Sequence, residues 1–162
     1  MLGRIIGVMF SAPIAMTTVG LAAEQAPSPV NLMAIAEAML PGACPPGTPP
    51  VERKVVNRHQ PQQIDTIKKV SCQAADIEMY VGATASDPTG LPIYLQVRKP
   101  SAGLPNHMNI GQPLLGLVSL QGKPDQRDDR SVTYLEEGGS VTFGINEGRI
   151  TSIRWQWDWG VE

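Results

Sequence analysis

Chemically versatile side chains are scarce in this chain of 162 residues, which has two Cys, two His and only eight aromatic residues (three Trp, three Tyr, two Phe). His59 and His107 stand 48 positions apart, neither with an acid within two residues. A zinc site needs three or four ligands held in shape, so the pair reads as two loop histidines. No G-x-S-x-G stretch offers a nucleophile elbow, and no N-x-[ST] sequon offers a glycan acceptor. Charge is nearly balanced, with 13 basic and 15 acidic residues, a net charge of -2 and a pI of about 5.7. No run of Lys and Arg supplies the basic face of a nucleic-acid binder, and none is expected as a partner. Beyond the N-terminus, no apolar run reaches the roughly 20 residues of a membrane-spanning helix.

What is present is ordinary for a globular protein. The length suits one domain, and 42% apolar residues are too many for a disordered chain. Sixteen Gly and fifteen Pro promise many turns.

Residues 1–23 read as a cleavable signal peptide. Arg4 gives the positive start, Ile5 to Met16 the apolar stretch, and Gly20-Leu21-Ala22 or Leu21-Ala22-Ala23 the small-residue cleavage site. The apolar stretch is too short to span a bilayer. No Cys follows it directly, so a lipoprotein is not expected. Residues 24–162 are then a single exported domain, periplasmic or secreted, with no stable membrane insertion. In an oxidising compartment, Cys44 and Cys72 have only each other to pair with, and a structural disulfide between them is expected.

The expected fold class is α+β. One antiparallel sheet would end in a C-terminal β-meander and carry a longer N-terminal helix and a short one. The first region, 24–63, holds the helix and a Pro-rich arm. Ser28-Pro29 looks like a cap and first turn, and Leu32, Ile35, Ala36, Met39 and Leu40 form an apolar stripe before Pro41-Gly42. Residues 44–63, with five prolines, read as a loop or extended arm. The second region, 64–100, is a β-hairpin: Ile77, Met79 and Val81 alternate with polar neighbours, as do Ile93, Leu95 and Val97. A linker at 100–105 leads to 110–162, where a short helix after Pro113 ends at Gly122, a charged loop fills 125–130, and strands follow. Val141, Phe143 and Ile145 alternate with small polar residues. Beyond the Asn146-Glu147-Gly148 turn, Ile153, Trp155, Trp157 and Trp159 share one parity, with Arg154 and Gln156 on the other.

Two motif-like stretches dissolve on inspection. Gly116 to Lys123 has one residue too many for a phosphate loop, and Pro124 stands where a magnesium-binding hydroxyl is needed. Asp125, Asp128 and Asp129 interleave with Arg127 and Arg130 and lack the register of a calcium loop. No catalytic, cofactor-binding or metal-binding residue is assigned, and the chain is expected not to be an enzyme.

Residues 110–157 have a cadence carried by Gly111-Gln112-Pro113, Gly122-Lys123-Pro124, Tyr134, Val141-Thr142-Phe143 and Gly148-Arg149-Ile150-Thr151-Ser152-Ile153. This stretch resembles the helix-then-meander module of small bacterial envelope proteins of the SmpA/OmlA (BamE) type. The resemblance implies a small exported binding module with no catalytic residues. The expected function is protein–protein contact with another envelope protein, through Arg154, Gln156, Trp157 and Trp159. One alternative is an inhibitor or immunity protein that blocks a toxin or hydrolase with a loop at 82–91 or 100–109. A more distant one is a metal carrier or envelope enzyme using His59 and His107.

Overall fold

In the computed structural model, residues 29–159 are described; the expected signal peptide, residues 1–23, and the expected cap at Ser28 lie outside them. A single eight-stranded antiparallel sheet dominates. The strands are β1 (Val51–Val56), β2 (Ile64–Ser71), β3 (Ala75–Val81), β4 (Leu91–Val97), β5 (Gln126–Arg127), β6 (Ser131–Glu136), β7 (Gly139–Asn146) and β8 (Arg149–Trp157). Their order is β1-β2-β3-β4-β8-β7-β6-β5. The chain runs up and down through four strands, crosses one face of the sheet, and returns through four more until β8 meets β4.

The α+β expectation with a longer N-terminal helix is therefore corrected. The first helix, α1 (Leu32–Met39), has eight residues, the same as α2 (Leu114–Gln121). Two local causes keep α1 short. Asn31, not Ser28, is its cap, with Oδ1 accepting from Ala34 N at 2.8 Å. At the other end Pro41 tightens the chain into a 3₁₀ turn, Leu40–Gly42. The Pro-rich arm is also corrected: its prolines cluster on either side of Val51–Val56, which forms β1 against β2. Within the charged 125–130 segment, Gln126 and Arg127 pair with β6. The supposed 100–105 linker packs into the core, where Leu104 and the following Met108 are buried.

The core lies between the helices and one sheet face. Leu95, Val97, Val141, Phe143, Ile153 and Trp155 come up from the strands to meet Leu32, Ala36, Met108 and Leu117. Trp155 Nε1 donates to Leu32 O at 2.9 Å, tying α1 to the central strand β8. The Glu147-Gly148 pair between β7 and β8 has two positive φ values, 49° and 71°, as a tight primed hairpin turn requires. Cys44 and Cys72 form a disulfide, with Cα atoms 5.8 Å apart, that fastens the chain beyond α1 to the end of β2. Among the described residues, no helix is long and apolar enough to cross a membrane.

Candidate binding surface

Side chains alternate across a strand, so the face opposite Trp155 carries Arg154 and Gln156. Register then extends that face. Gln156 stands beside Tyr94, Tyr94 beside Glu78, and Glu78 beside Lys69. Among the described residues, no helix covers them. Lys69 and Glu78 form an ion pair at 3.4 Å. Arg98 pairs with Asp76 and holds that carboxyl below its usual range.

Between β3 and β4 the register slips. Glu78 opposes Tyr94, but Met79 opposes Pro92, leaving Ile93 as an extra residue. Such a bulge bends its strand. Beside it lies a hollow of about 530 Å³, bounded by Arg53 and Val55 of β1, Asn57, Arg58 and His59 of the following turn, Ile67, Tyr80, Tyr94 and Gln156. Val56, Glu78, Ile93 and Trp157 complete its lining. Neither Arg53 nor Arg58 belongs to either of the ion pairs found among the described residues. The hollow's acid, Glu78, is already matched by Lys69, so neither guanidinium has an ion-pair partner among the described residues.

Asp65 holds the rim in shape. It is fully buried. Its carboxylate accepts from Tyr80 OH, from Asn57 Nδ2 at 2.7 Å, and from Gln63 Nε2 and Ala83 N at 2.8 Å each. The Tyr80 hydroxyl, followed by the Gln63 amide, holds its carboxyl far below the ordinary range. Burial, and then the Asp65 carboxylate, push the Tyr80 phenol up. Four donors satisfy a buried anion without any cation. The group fixes the β1–β2 turn, β3 and the start of the 82–90 loop to one another, and its lone pairs are occupied by that task.

The four residues expected at a binding surface are thus divided. Arg154 and Gln156 are exposed on the helix-free face. Trp157 is 5% exposed, and Trp159, at 44%, lies past the end of β8 with Nε1 donating to Pro92 O. Trp157 is a core residue because β8 runs through it and keeps the parity of Trp155. Arg53, Arg58, Tyr80 and Tyr94 were not anticipated. They come from separate elements, and no local sequence pattern marks them as sharing a face.

His59 edges the hollow, whereas His107 sits in a 3₁₀ turn, Asn106–Met108. Among the described residues, no group of three or more His, Cys, Asp and Glu is placed to hold a metal ion. No protein family, curated protein or solved structure matches the chain.

Proposed function

We propose that this chain is an exported, non-catalytic protein-binding module of the bacterial cell envelope, acting through the helix-free sheet face and the free edge of β1. The observation that carries this is an open edge beside an open hollow. Among the described residues β1 pairs with β2 alone, and Val51 and Val56 on it are 71% and 59% exposed. An extended partner segment could extend the sheet there and place side chains into the hollow. The disulfide supports an oxidising compartment. The helix-then-strands order over 114–157 supports kinship with the BamE-type module.

A site-specific photo-crosslinker tests the proposal in the native envelope. Placed at Val56, it should give discrete adducts that Leu115, exposed on α2, does not give. Adducts at Leu115 alone would remove the edge from consideration. N-terminal sequencing tests export, and a retained Met1 would refute it.

One observation favours the inhibitor alternative. Residues 83–89 form an exposed loop pinned by Asp65 to Ala83 N and by Lys68 Nζ to Pro88 O at 2.8 Å. The other candidate loop, 100–109, does not protrude, because Leu104 and Met108 anchor it in the core.

A further inference from the structure

The hydrogen-bond phase of β1 decides what its free edge can accept. Asn57 N donates to Gln63 O at 2.9 Å, and bonded pairs recur at every second residue of an antiparallel ladder. Val55, Arg53 and Val51, opposite Asp65, Ile67 and Lys69, therefore direct their backbone groups to β2. Glu52, Lys54 and Val56 direct theirs outward. An antiparallel strand added at this edge would bond to those three residues. Its residue opposite Arg53 would fall in a non-bonded pair, the closest Cα approach in such a ladder, about 4.5 Å.

Arg53 lies on the helix-free face at the hollow, with Arg58 in the turn beyond. Neither has an ion-pair partner among the described residues, and the neighbouring Glu78 is held by Lys69 at 3.4 Å. We infer that the occupant of this edge is an extended acidic segment of a partner protein, added antiparallel to β1, with one carboxylate against Arg53 and a second at Arg58. This rests on the binding function proposed above and names the partner's chemistry. Arginine suits it, because its planar fork takes a carboxylate in two parallel hydrogen bonds. A second copy of the chain is less suited where it would cover the charged run, because a two-fold pairing of β1 centred on Glu52, Arg53 or Lys54 sets that charge against its own copy, which is unfavourable directly across a ladder.

The test is a titration of two capped octapeptides, one alternating Thr and Asp and one alternating Thr and Lys, into isotope-labelled protein prepared from the full-length chain. The Asp peptide should give saturable amide shifts centred on Glu52, Lys54 and Val56. It should bind roughly tenfold tighter than the Lys peptide, and added salt should erode the difference. Arg53→Glu should invert the preference. N-methylation of alternate peptide amides should abolish binding without altering the protein. Lys54→Pro should do the same, its fold checked by the Trp155 indole resonance. Equal binding of both peptides, unchanged by Arg53→Glu, would overturn the acidic partner while leaving the edge as a docking site. Binding that survives both N-methylation and Lys54→Pro, or no saturable shift with either peptide, would overturn the edge and the inference together. Sedimentation as a dimer with β1 amides protected would assign the edge to a second copy instead.

Discussion

Trp155 and Trp157 are two residues apart on β8 and both buried, yet their indole N–H groups have opposite fates. Trp155 Nε1 donates to Leu32 O at 2.9 Å. Trp157 Nε1 is buried with no hydrogen-bond partner among the described residues. Substitution by Phe removes the N–H in each case and trims a similar amount of ring. At Trp155 the change loses one hydrogen bond, a net of about 1 kcal/mol, since Leu32 O in the first turn of α1 retains its helical donor. At Trp157 it removes an unsatisfied buried donor and relieves about 1–3 kcal/mol of desolvation cost. The packing loss is common to both, so Trp155→Phe should be less stable than Trp157→Phe by about 2 kcal/mol or more. That corresponds to roughly 8 °C in melting temperature for a domain of this size. Guanidinium unfolding followed by far-UV circular dichroism reads the difference directly. Equal costs, or a larger cost at Trp157, would refute the assignment of the two indoles. Alanine separates core from surface: Trp157→Ala should cost about 3–5 kcal/mol, and the half-exposed Trp159→Ala much less.

Replacing Cys44 and Cys72 together by Ser should cost roughly 3.5 kcal/mol by chain entropy for a loop of this length, read as a lower urea midpoint in the variant; an unchanged midpoint would show that the link does not constrain the unfolded chain. Acid stability tests the Asp65 cluster. Its folded carboxyl titrates below the ordinary value of about 3.9, so its contribution is complete above that value and is lost as the pH falls through the folded one. Tyr80→Phe removes the largest cause of the depression, so acid unfolding should begin at a higher pH, and an unmoved acid midpoint would contradict this. Gly90 and Gly111 both have positive φ, 80° and 88°, but a Cβ at Gly90 would lie 2.3 Å from Tyr80 O, whereas none at Gly111 meets an atom within 4 Å. Gly111→Ala should cost about 1 kcal/mol for its backbone alone, Gly90→Ala clearly more, and equal losses in thermal melts would deny the clash.

Strands with one buried face were legible because burial imposes a period of two. Val141 and Phe143 in β7, Ile153 and Trp155 in β8, and Leu95 and Val97 in β4 show it. β1 was not legible for the converse reason. As an edge strand it is exposed along almost its whole length, so Val-Glu-Arg-Lys-Val-Val carries no alternation, and flanking prolines make it look like a loop. β5 is only two residues long and lies below any periodic signal. The apolar stripe of α1 and its end before Pro41-Gly42 were legible, but its start was not, because Asn31 caps the helix and begins it later than Ser28-Pro29 suggests. At the site, Arg154 and Gln156 followed from parity. The hollow did not, because it needs β1, β3, β4 and β8 brought together by a topology no local pattern encodes.

That topology also explains why the segment around α1 matters more than its size suggests. The two four-strand halves meet only where β4 pairs with β8, over four residue pairs, Tyr94–Gln156 to Val97–Ile153. The start of α1 is pinned to the second half. Glu136 accepts from Leu32 N and Met33 N at 3.0 Å each, Gln121 accepts from Val30 N at 2.7 Å, and Trp155 reaches Leu32 O. A carboxylate at a helix N-terminus satisfies donors the helix cannot. The chain beyond α1 is pinned to the first half by Cys44–Cys72, and Cys72 N donates to Ala75 O at 2.9 Å to close the β2–β3 turn. Residues 30–44 thus brace the short β4–β8 seam from the helical side. The helix-free side is left open, and β1, at one outer edge of the sheet, relies among the described residues on β2 and the Asp65 cluster. An edge attached this way can accept another strand without disturbing the core.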